Sequence, residues 1–380
     1  MTFSSLGLSE ILLKELENQN FTVPFPVQAE AIPAILKGKD VFCNAPTGSG
    51  KTASFVLPIL ELLQNNKPSR NRHIKVLVLV PTRELAIQTD DVFRQFAASL
   101  PRKVKSLAVF GGVSINPQMI QLQGVEILIA TPGRLLDLVT SNALSLSSVE
   151  TLILDEADKM LNLGFKQEMD SILKLLASKR QNILYSATLA KEVTSIKDIL
   201  LNNPVEIVIQ ENANDLLLIE ELAYFVPEEK KGPLLRYLIR REGMDQVLVF
   251  VSSIFKADSV VNKLQKNGIQ AASFHSKNSQ GARMDALRKF KSGALRVLVA
   301  TDLASRGIDI QLLPYVINYE LPRSPKEYIH RIGRTGRAGS QGMAISLISP
   351  EERQHFKVIQ KKSGKPVTMI DSEGIDLHGY

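Results

Sequence analysis

Two short segments of the sequence carry the residue types of a nucleotide-binding site. Residues 45–52 read Ala-Pro-Thr-Gly-Ser-Gly-Lys-Thr, and residues 155–158 read Asp-Glu-Ala-Asp. The glycine-rich turn lets backbone N–H groups surround phosphate oxygens, while Lys51 supplies a cation and the Thr52 hydroxyl can bind magnesium. Asp155 follows an apolar run, and a carboxylate at the end of a buried strand can hold the same metal ion. Together the two segments predict hydrolysis of a nucleoside triphosphate.

Glu156 stands beside the predicted metal ligand. A carboxylate near the terminal phosphate can orient or polarise the attacking water. An isolated Asp-Glu-Ala-Asp is more often only the acidic first turn of a helix. Here the apolar run 152–154 and the phosphate-binding loop favour a catalytic role.

A concentration of positive charge lies near the other end of the chain. Residues 330–337 read His-Arg-Ile-Gly-Arg-Thr-Gly-Arg, with three arginines among eight residues. Arginine suits a place where negative charge develops on a transferring phosphoryl group, because its planar cation is permanently charged. A solvated basic face is the simpler explanation of such a run. The interleaved glycines, which let backbone approach a ligand closely, favour a binding site instead.

Short apolar runs come directly before these polar clusters and before several others. Runs rich in branched side chains and without polar alternation are typical of strands buried on both faces. Amphipathic stretches between them, such as residues 84–96 and 257–266, predict helices. This alternation indicates parallel βαβ units, in which ligands bind at the carboxyl ends of the strands. The further apolar runs cover residues 76–80, 127–130, 183–185, 247–251 and 297–300.

Composition narrows the class of protein. The chain has 380 residues, of which 44% are hydrophobic and 22% charged, as expected for two globular domains. No apolar run approaches the roughly 20 residues of a membrane span, and residues 1–10 lack a secretory signal. The single cysteine, Cys43, can form neither an internal disulfide nor a zinc cluster. We therefore expect a cytoplasmic protein, and its net charge of +7 permits a polyanionic partner without requiring one.

A change of domain is predicted near residues 210–215, where a polar stretch follows the apolar run 205–209. We expect a first domain over residues 1–210 and a linker over residues 211–217. A second domain is expected over residues 218–362, followed by a short tail over residues 363–380.

With alanine at the first position of the loop, and with Asp-Glu-Ala-Asp, the sequence resembles the DEAD-box RNA helicases from Phe3 to about Gly342. The resemblance implies an α/β fold of two tandem RecA-like domains, each a mostly parallel sheet flanked by helices. It implies ATP and Mg²⁺ as cofactors. It also implies that RNA stimulates ATP hydrolysis, and that hydrolysis is coupled to closure of the two domains. Closure would in turn produce local, non-processive unwinding of RNA or RNP remodelling. The RNA would be single-stranded or a short duplex, bound without sequence preference by a monomer away from membranes. A protein or RNP partner could supply specificity.

The same resemblance implies roles around the nucleotide. Gln28 would hydrogen-bond the adenine edge and Phe21 would pack on its ring, although Asn20 and Phe25 replace the glycine and small hydroxyl residue common there. Further contacts are implied for Ala45, Thr47, Gly48, Ser49, Gly50, Lys51, Thr52 and, on the ribose, Asp309. The implied catalytic residues are Lys51, Asp155, Glu156 and the arginine fingers Arg334 and Arg337, with Thr52 and Asp155 as metal ligands.

Two more groups follow from the resemblance. RNA contacts are implied for Pro81, Thr82, Arg83, Gly112, Thr131, Arg134, Ser252, Gln280, Arg283 and Thr301. Such hydroxyl, backbone and arginine groups contact the phosphate backbone and carry no base information. Coupling between domains is implied for Asp158, Ser186, Thr188, Arg306, His330 and Arg331. In this role Asp158 would hydrogen-bond toward Ser186 and Thr188. His330 and Arg331 would link the second domain to the carboxylates of the first half.

Two other functions remain open at this point. An ATP-gated RNA clamp with little unwinding would use the same catalytic residues, so the sequence does not separate it from a helicase. A related DNA helicase is disfavoured by the match of residues 20–28 and by Asp-Glu-Ala-Asp. The single cysteine also excludes the zinc subdomain that some DNA helicases carry.

Overall fold

The apolar runs of the sequence form the inner strands of two parallel sheets. The computed structural model describes residues 1–46, 48–64, 72–209, 218–305, 310, 313–336, 341–363 and 367–380. Two compact units divide the chain, Met1–Glu211 and Asn212–Tyr380, and each holds one seven-stranded sheet. The predicted α/β architecture of two tandem parallel sheets flanked by helices is therefore confirmed. The predicted linker 211–217 lies outside the described residues.

In the first unit the strands lie in the order β3-β4-β2-β5-β6-β1-β7, and all neighbouring pairs are parallel. The strands are β1 Val41–Asn44, β2 Val76–Leu79, β3 Ser106–Val109, β4 Ile127–Ala130, β5 Thr151–Leu154, β6 Gln181–Ser186 and β7 Val205–Val208. The helices are α1 Glu10–Asn18, α2 Pro26–Leu36, α3 Lys51–Gln64, α4 Arg83–Ala97, α5 Asn116–Gln121, α6 Pro132–Thr140, α7 Ala157–Asn162, α8 Lys166–Leu175 and α9 Lys191–Leu200.

In the second unit the order is β10-β11-β9-β12-β13-β8-β14, again with parallel neighbours. The strands are β8 Ile219–Phe225, β9 Val247–Val251, β10 Ala271–Phe274, β11 Val297–Thr301, β12 Tyr315–Asn318, β13 Gly342–Ile348 and β14 Thr368–Asp371. The helices are α10 Lys231–Arg241, α11 Ile254–Lys266, α12 Gln280–Lys291, α13 Asp302–Ser305, α14 Pro325–Ile332 and α15 Arg353–Ser363. None of the helices within the described ranges is long and apolar enough to cross a membrane.

The inner strands bury both of their faces, which explains why their sequences do not alternate. In β2, Val76 and Val78 belong to one hydrophobic cluster, whereas Leu77 and Leu79 belong to another on the opposite face. A polar side chain at any of these positions would enter one of the two cores. The sheet is thereby fixed between two helical layers, and the segments that follow its strands are held at one edge.

The residues beyond 362, predicted as a short tail, extend the second sheet. Strand β14 pairs in parallel with β8, in the register of Ile370 with Tyr224. The Ser372 hydroxyl donates a hydrogen bond of 2.6 Å to the Phe225 carbonyl, and the ring of Tyr380 packs edge-on against Tyr237 at 5.2 Å. This strand was not predicted from the sequence, because its pairing partner lies more than 140 residues away in the chain.

Candidate active site

The phosphate-binding loop joins β1 to the start of α3. Gly48 and Gly50 adopt φ values of 87° and 86°, the left-handed region that glycine enters without strain. Lys51, the first residue of α3, is buried, and its Nζ donates hydrogen bonds to the carbonyls of Ala45 at 2.7 Å and Pro46 at 3.2 Å. Ser49 Oγ also donates to the Pro46 carbonyl, at 2.8 Å. The loop and the N-terminus of a 14-residue helix thus form an anion-binding turn.

Gln28 ties α2 to this loop. Its Nε2 donates to the Gly50 carbonyl at 3.1 Å, and its Oε1 accepts a hydrogen bond of 2.9 Å from the Phe25 amide. A Cβ atom at Gly50 would lie 2.6 Å from Gln28 Nε2 and 2.8 Å from the Phe25 ring, so only glycine fits here. The Gln28 side chain is fully buried. An amide expected to read adenine therefore also holds the loop in position.

The two aromatic residues of this region occupy different surroundings. Phe21, expected on the adenine ring, packs edge-on against Phe96 at 5.8 Å, at the border of the first core. Phe25 is 39% exposed and lies against Gly50 of the loop. In the sequence, Phe25 is only a departure from the pattern common at this position. Its position three residues before Gln28, at the start of α2, was the available signal that it lies beside the loop.

Asp155 lies at the carboxyl end of β5 and is buried. Among the residues that the structure describes, its Oδ1 meets no hydrogen-bond partner. Burial, and then the neighbouring negative charge of Glu156, raise the pKa of Asp155 to about 6, while Lys51 and Lys159 act in the opposite direction. A buried carboxylate oxygen without a donor suits a hard divalent cation. The hydroxyl of Thr52, the second residue of α3, is an oxygen ligand of the same kind.

No group of three or more His, Cys, Asp or Glu side chains within the described ranges could hold a metal by itself. Mg²⁺ usually takes one or two protein oxygens together with phosphate oxygens and water. The residues present therefore fit Mg²⁺ bound to a nucleotide, with Asp155 and Thr52 as its protein ligands.

Glu156 has an unusual backbone conformation for a residue that is not glycine. Its φ and ψ are 52° and 47°, in the left-handed region, directly before α7. Its Oε1 accepts a hydrogen bond of 2.5 Å from Lys159 Nζ. Its Oε2 is buried and finds no partner in the described part of the chain. Lys159 was not among the predicted site residues, although its spacing of three residues from Glu156 permits an ion pair on a helix.

Asp158 connects α7 to the end of β6. Its carboxylate accepts a hydrogen bond of 3.3 Å from the Thr188 hydroxyl and one of 3.4 Å from the Ala187 amide. Ser186 Oγ donates to the Thr188 carbonyl at 2.7 Å. The contact of Asp158 with Ser186 therefore runs through Thr188. All of these bonds lie within the first unit.

The expected RNA contacts of the first unit follow three adjacent strands, β2, β4 and β3. The Arg83 guanidinium lies against Gly112, where a Cβ atom would come within 2.1 Å of Nη2. Arg134 is buried; its Nη2 donates to the Val113 carbonyl at 2.8 Å. Thr82 and Thr131 stand at the N-caps of α4 and α6, and Pro81 precedes Thr82. These groups share one stretch of the sheet edge. Arg83 and Arg134 contact the loop that follows β3, at Gly112 and Val113 respectively.

In the second unit, the expected RNA contacts follow β9, β10 and β11. The amide and hydroxyl of Ser252 both donate to Glu320 Oε2 at 2.7 Å. Arg283 lies over the Phe274 ring at 4.8 Å. The side-chain N and O of Gln280 are both buried and have no hydrogen-bond partner among the described residues. Thr301, at the end of β11, is 9% exposed.

Arg331 is engaged inside the second unit. Its Nε and Nη2 donate to the two oxygens of Asp302 at 2.6 and 2.7 Å. Its Nη1 donates to Asn318 Oδ1 at 3.0 Å and to the Glu320 carbonyl at 2.7 Å. A guanidinium held in this way links α14 to Asp302, directly after β11, and to the end of β12 within the second unit.

The remaining predicted residues divide into two groups. His330 is exposed in the last turn of α14, and Arg334 is half-buried two residues beyond the end of that helix. Thr47, Arg306, Asp309 and Arg337 lie outside the described residues.

Comparisons with family models and with curated proteins find helicases. Residues 25–196 match the DEAD/DEAH box helicase family, and residues 230–339 match the helicase conserved C-terminal domain. The ATP-dependent RNA helicase CshA of Listeria monocytogenes is 38% identical over 364 residues, covering 96% of this chain and 69% of the relative. The DEAD-box ATP-dependent RNA helicase CshA of Bacillus subtilis is 36% identical, covering 99% of this chain and 75% of the relative.

Solved structures show the same likeness. Dbp5 of S. cerevisiae, bound to RNA and ADP BeF3, superposes with a TM-score of 0.82 at 28% identity, covering 98% of this chain and 96% of that one. A DEAD box protein from the hyperthermophile Methanococcus jannaschii is 36% identical with a TM-score of 0.56, covering 97% of this chain and 99% of that one.

Proposed function

Because this chain belongs to the DEAD-box family of ATP-dependent RNA helicases, we propose that it couples RNA-stimulated ATP hydrolysis to domain closure and to local unwinding of short RNA duplexes. The observation that carries the proposal is the pair of buried carboxylates at the end of β5. Asp155 and Glu156 each present an oxygen without a partner in the described part of the chain, and the phosphate-binding loop follows β1 at the same edge of the sheet.

The chain's own residues have distinct tasks in hydrolysis. When the nucleotide binds, Lys51 Nζ must break its hydrogen bonds to the carbonyls of Ala45 and Pro46 and donate to phosphate oxygens instead. Glu156 accepts a hydrogen bond from the attacking water and so orients it toward the terminal phosphate. Asp155 and Thr52 would hold Mg²⁺, which supplies positive charge beside the phosphate oxygens when bound. Gln28 reads the adenine edge and stabilises the loop at Gly50.

RNA binds through its backbone in this proposal. The hydroxyl, amide and arginine groups after β2, β3 and β4 suit phosphate and sugar contacts, and they carry no sequence information. The second unit contributes Arg334 and Arg337 to the developing charge on the γ-phosphate, so hydrolysis needs both units. ATP and RNA each favour the closed state, and their affinities are coupled reciprocally.

The test is strand displacement from a short RNA duplex with a single-stranded overhang. We expect displacement with ATP, and repeated turnover only when ATP can be hydrolysed. A non-hydrolysable analogue should support at most one round, because RNA release follows hydrolysis. Tight ATP-dependent RNA binding without displacement would contradict unwinding and would identify the protein as an ATP-gated RNA clamp. Displacement of DNA duplexes at the same rate would contradict RNA preference.

A further inference from the structure

Lys159 contacts the carboxylate that is proposed to act on water. Its Nζ lies 2.5 Å from Glu156 Oε1, and the two side chains are 17% and 8% exposed, respectively. Solvent-exposed ion pairs one helical turn apart contribute little, since water screens them and both side chains lose freedom. This pair is largely withdrawn from solvent, so the contact restrains the carboxylate more firmly than an exposed pair would.

The remaining atoms of Glu156 are restrained as well. Its carbonyl accepts hydrogen bonds from the Lys159 amide at 2.9 Å and the Met160 amide at 3.1 Å, as α7 begins. Its left-handed backbone, with φ of 52°, is an uncommon conformation for a residue with a side chain, and the surroundings must maintain it. Backbone and Oε1 are thus both held, whereas the buried Oε2 finds no partner in the described ranges.

A second lysine lies near these carboxylates but has a different task. Lys51 Nζ bonds the carbonyls of Ala45 and Pro46 within the loop, and the phosphates are its expected partners in the bound state. Lys159 belongs to no segment that the nucleotide or RNA is expected to touch. Its ammonium is directed at Glu156 and leaves the other carboxylate oxygen to accept a hydrogen bond.

We infer that Lys159 is a positioning residue for catalysis. It holds Oε1 of Glu156 by a charge-assisted hydrogen bond, so that Oε2 accepts a hydrogen bond from the attacking water. The inference rests on the proposed role of Glu156. Lys159 touches neither nucleotide nor water; it fixes the direction in which the carboxylate presents its second oxygen.

Steady-state ATP hydrolysis by the full chain with saturating RNA tests this inference. Lys159→Met keeps the length of the side chain but removes its charge, and we expect kcat to fall about 10-fold to 100-fold, as for lost outer contacts of other catalytic groups. The KM for ATP and the affinity for a fluorescent ATP analogue should stay within about 2-fold, since no nucleotide contact is lost. Lys159→Arg should restore most of kcat, because it returns a cation to Glu156.

Three controls separate the possible outcomes. Lys166→Met alters an exposed lysine at the start of α8 and should leave kcat unchanged. Glu156→Gln should be slow by itself, and adding Lys159→Met to it should cause little further loss, because both act on one group. If Glu156→Gln turns over normally, the proposed role of Glu156 is wrong. If Glu156→Gln is slow while Lys159→Met keeps or raises kcat, or while arginine fails to rescue, the inference about Lys159 is overturned.

Discussion

Asp155 combines deep burial with a carboxylate oxygen that meets no partner in the described part of the chain. Its carboxylate is buried beside Glu156, and burial raises its pKa from 3.8 to about 6. The folded state therefore binds a proton at Asp155 more tightly than the unfolded chain does. Above pH 6 the charged group destabilises the nucleotide-free fold, and this destabilisation is relieved as the pH falls through 6 toward 3.8.

Asp155→Asn should therefore raise the thermal stability of the nucleotide-free protein while abolishing ATP hydrolysis. At pH 7.5, without Mg²⁺, we expect a gain of roughly 1–2 kcal/mol, or about 2–6 °C in Tm, because a neutral amide avoids the burial of charge. The gain should shrink markedly at pH 5, where the wild-type carboxyl is protonated. Thermal unfolding of both proteins at the two pH values measures this. A lower Tm for the variant at pH 7.5 would contradict the explanation.

At this scale the family resemblance anticipated the contact of Asp158 with Thr188, but the sequence did not identify the partners of Glu156 and Gly50. Lys159 and Phe25 are ordinary residues in the sequence, and their importance depends on where Glu156 and Gly50 lie in space. Arg331 and Arg334 stand three positions apart in one basic run, and nothing in the sequence separates them. The extent of burial distinguishes them in the structure. Arg331 is 2% exposed and bound to Asp302, whereas Arg334 is half-buried just beyond the end of α14.

At the scale of the elements, the order of the strands in the first sheet separates two groups of polar residues along the edge of the sheet. The ends of β5, β6 and β1 carry the carboxylates, Ser186 and the phosphate-binding loop, whereas the ends of β3, β4 and β2 carry the expected RNA contacts. Strands β2 and β5 are neighbours at the boundary. The sequence predicted the parallel strands and the polar residues at their ends. It did not predict the order, which depends on pairing between segments far apart in the chain.

The Arg331–Asp302 link gives a prediction for the second unit. Arg331→Ala removes four hydrogen bonds, two to Asp302 directly after β11, one to Asn318 in β12 and one to the Glu320 carbonyl beyond β12. We expect it to destabilise the unit by about 3 kcal/mol. Hydrogen exchange of the β11 and β12 amides in the full chain should then be roughly 100-fold faster.

The matched control is Arg334→Ala, in the same run. This substitution removes none of those four hydrogen bonds, so it should speed that exchange less than Arg331→Ala does. It should also lower RNA-stimulated ATP hydrolysis by about 10³-fold or more, as expected for the proposed arginine finger. Equal exchange in both variants would mean that Arg331 does not hold the unit together.

At the scale of the whole molecule, the proposal requires the two units to approach each other when both ligands are bound. Cys43 is buried, and burial raises its pKa to about 12, so thiol reagents should react instead with introduced cysteines. Ser147→Cys and Lys266→Cys place labels on exposed positions, one in each unit.

The distance between these labels should shorten with ATP and single-stranded RNA together, and less with either alone, because the two ligands are coupled. Lys51→Ala, which loses the phosphate contact, should abolish the change. An unchanged distance with both ligands would contradict closure. The same conclusion would follow if residues 1–210 alone hydrolysed ATP at the full RNA-stimulated rate.

Strand β14 has a consequence for handling the protein. It covers the outer side of β8, a seven-residue strand that would otherwise end the sheet. The match to the helicase C-terminal domain stops at residue 339, so a fragment cut at that boundary would lose both β13 and β14. Even a cut after α15 would leave the backbone N–H and C=O groups of β8 unpaired on one side. Exposed strand edges recruit other chains, so shortened forms should aggregate where the full sequence stays dispersed.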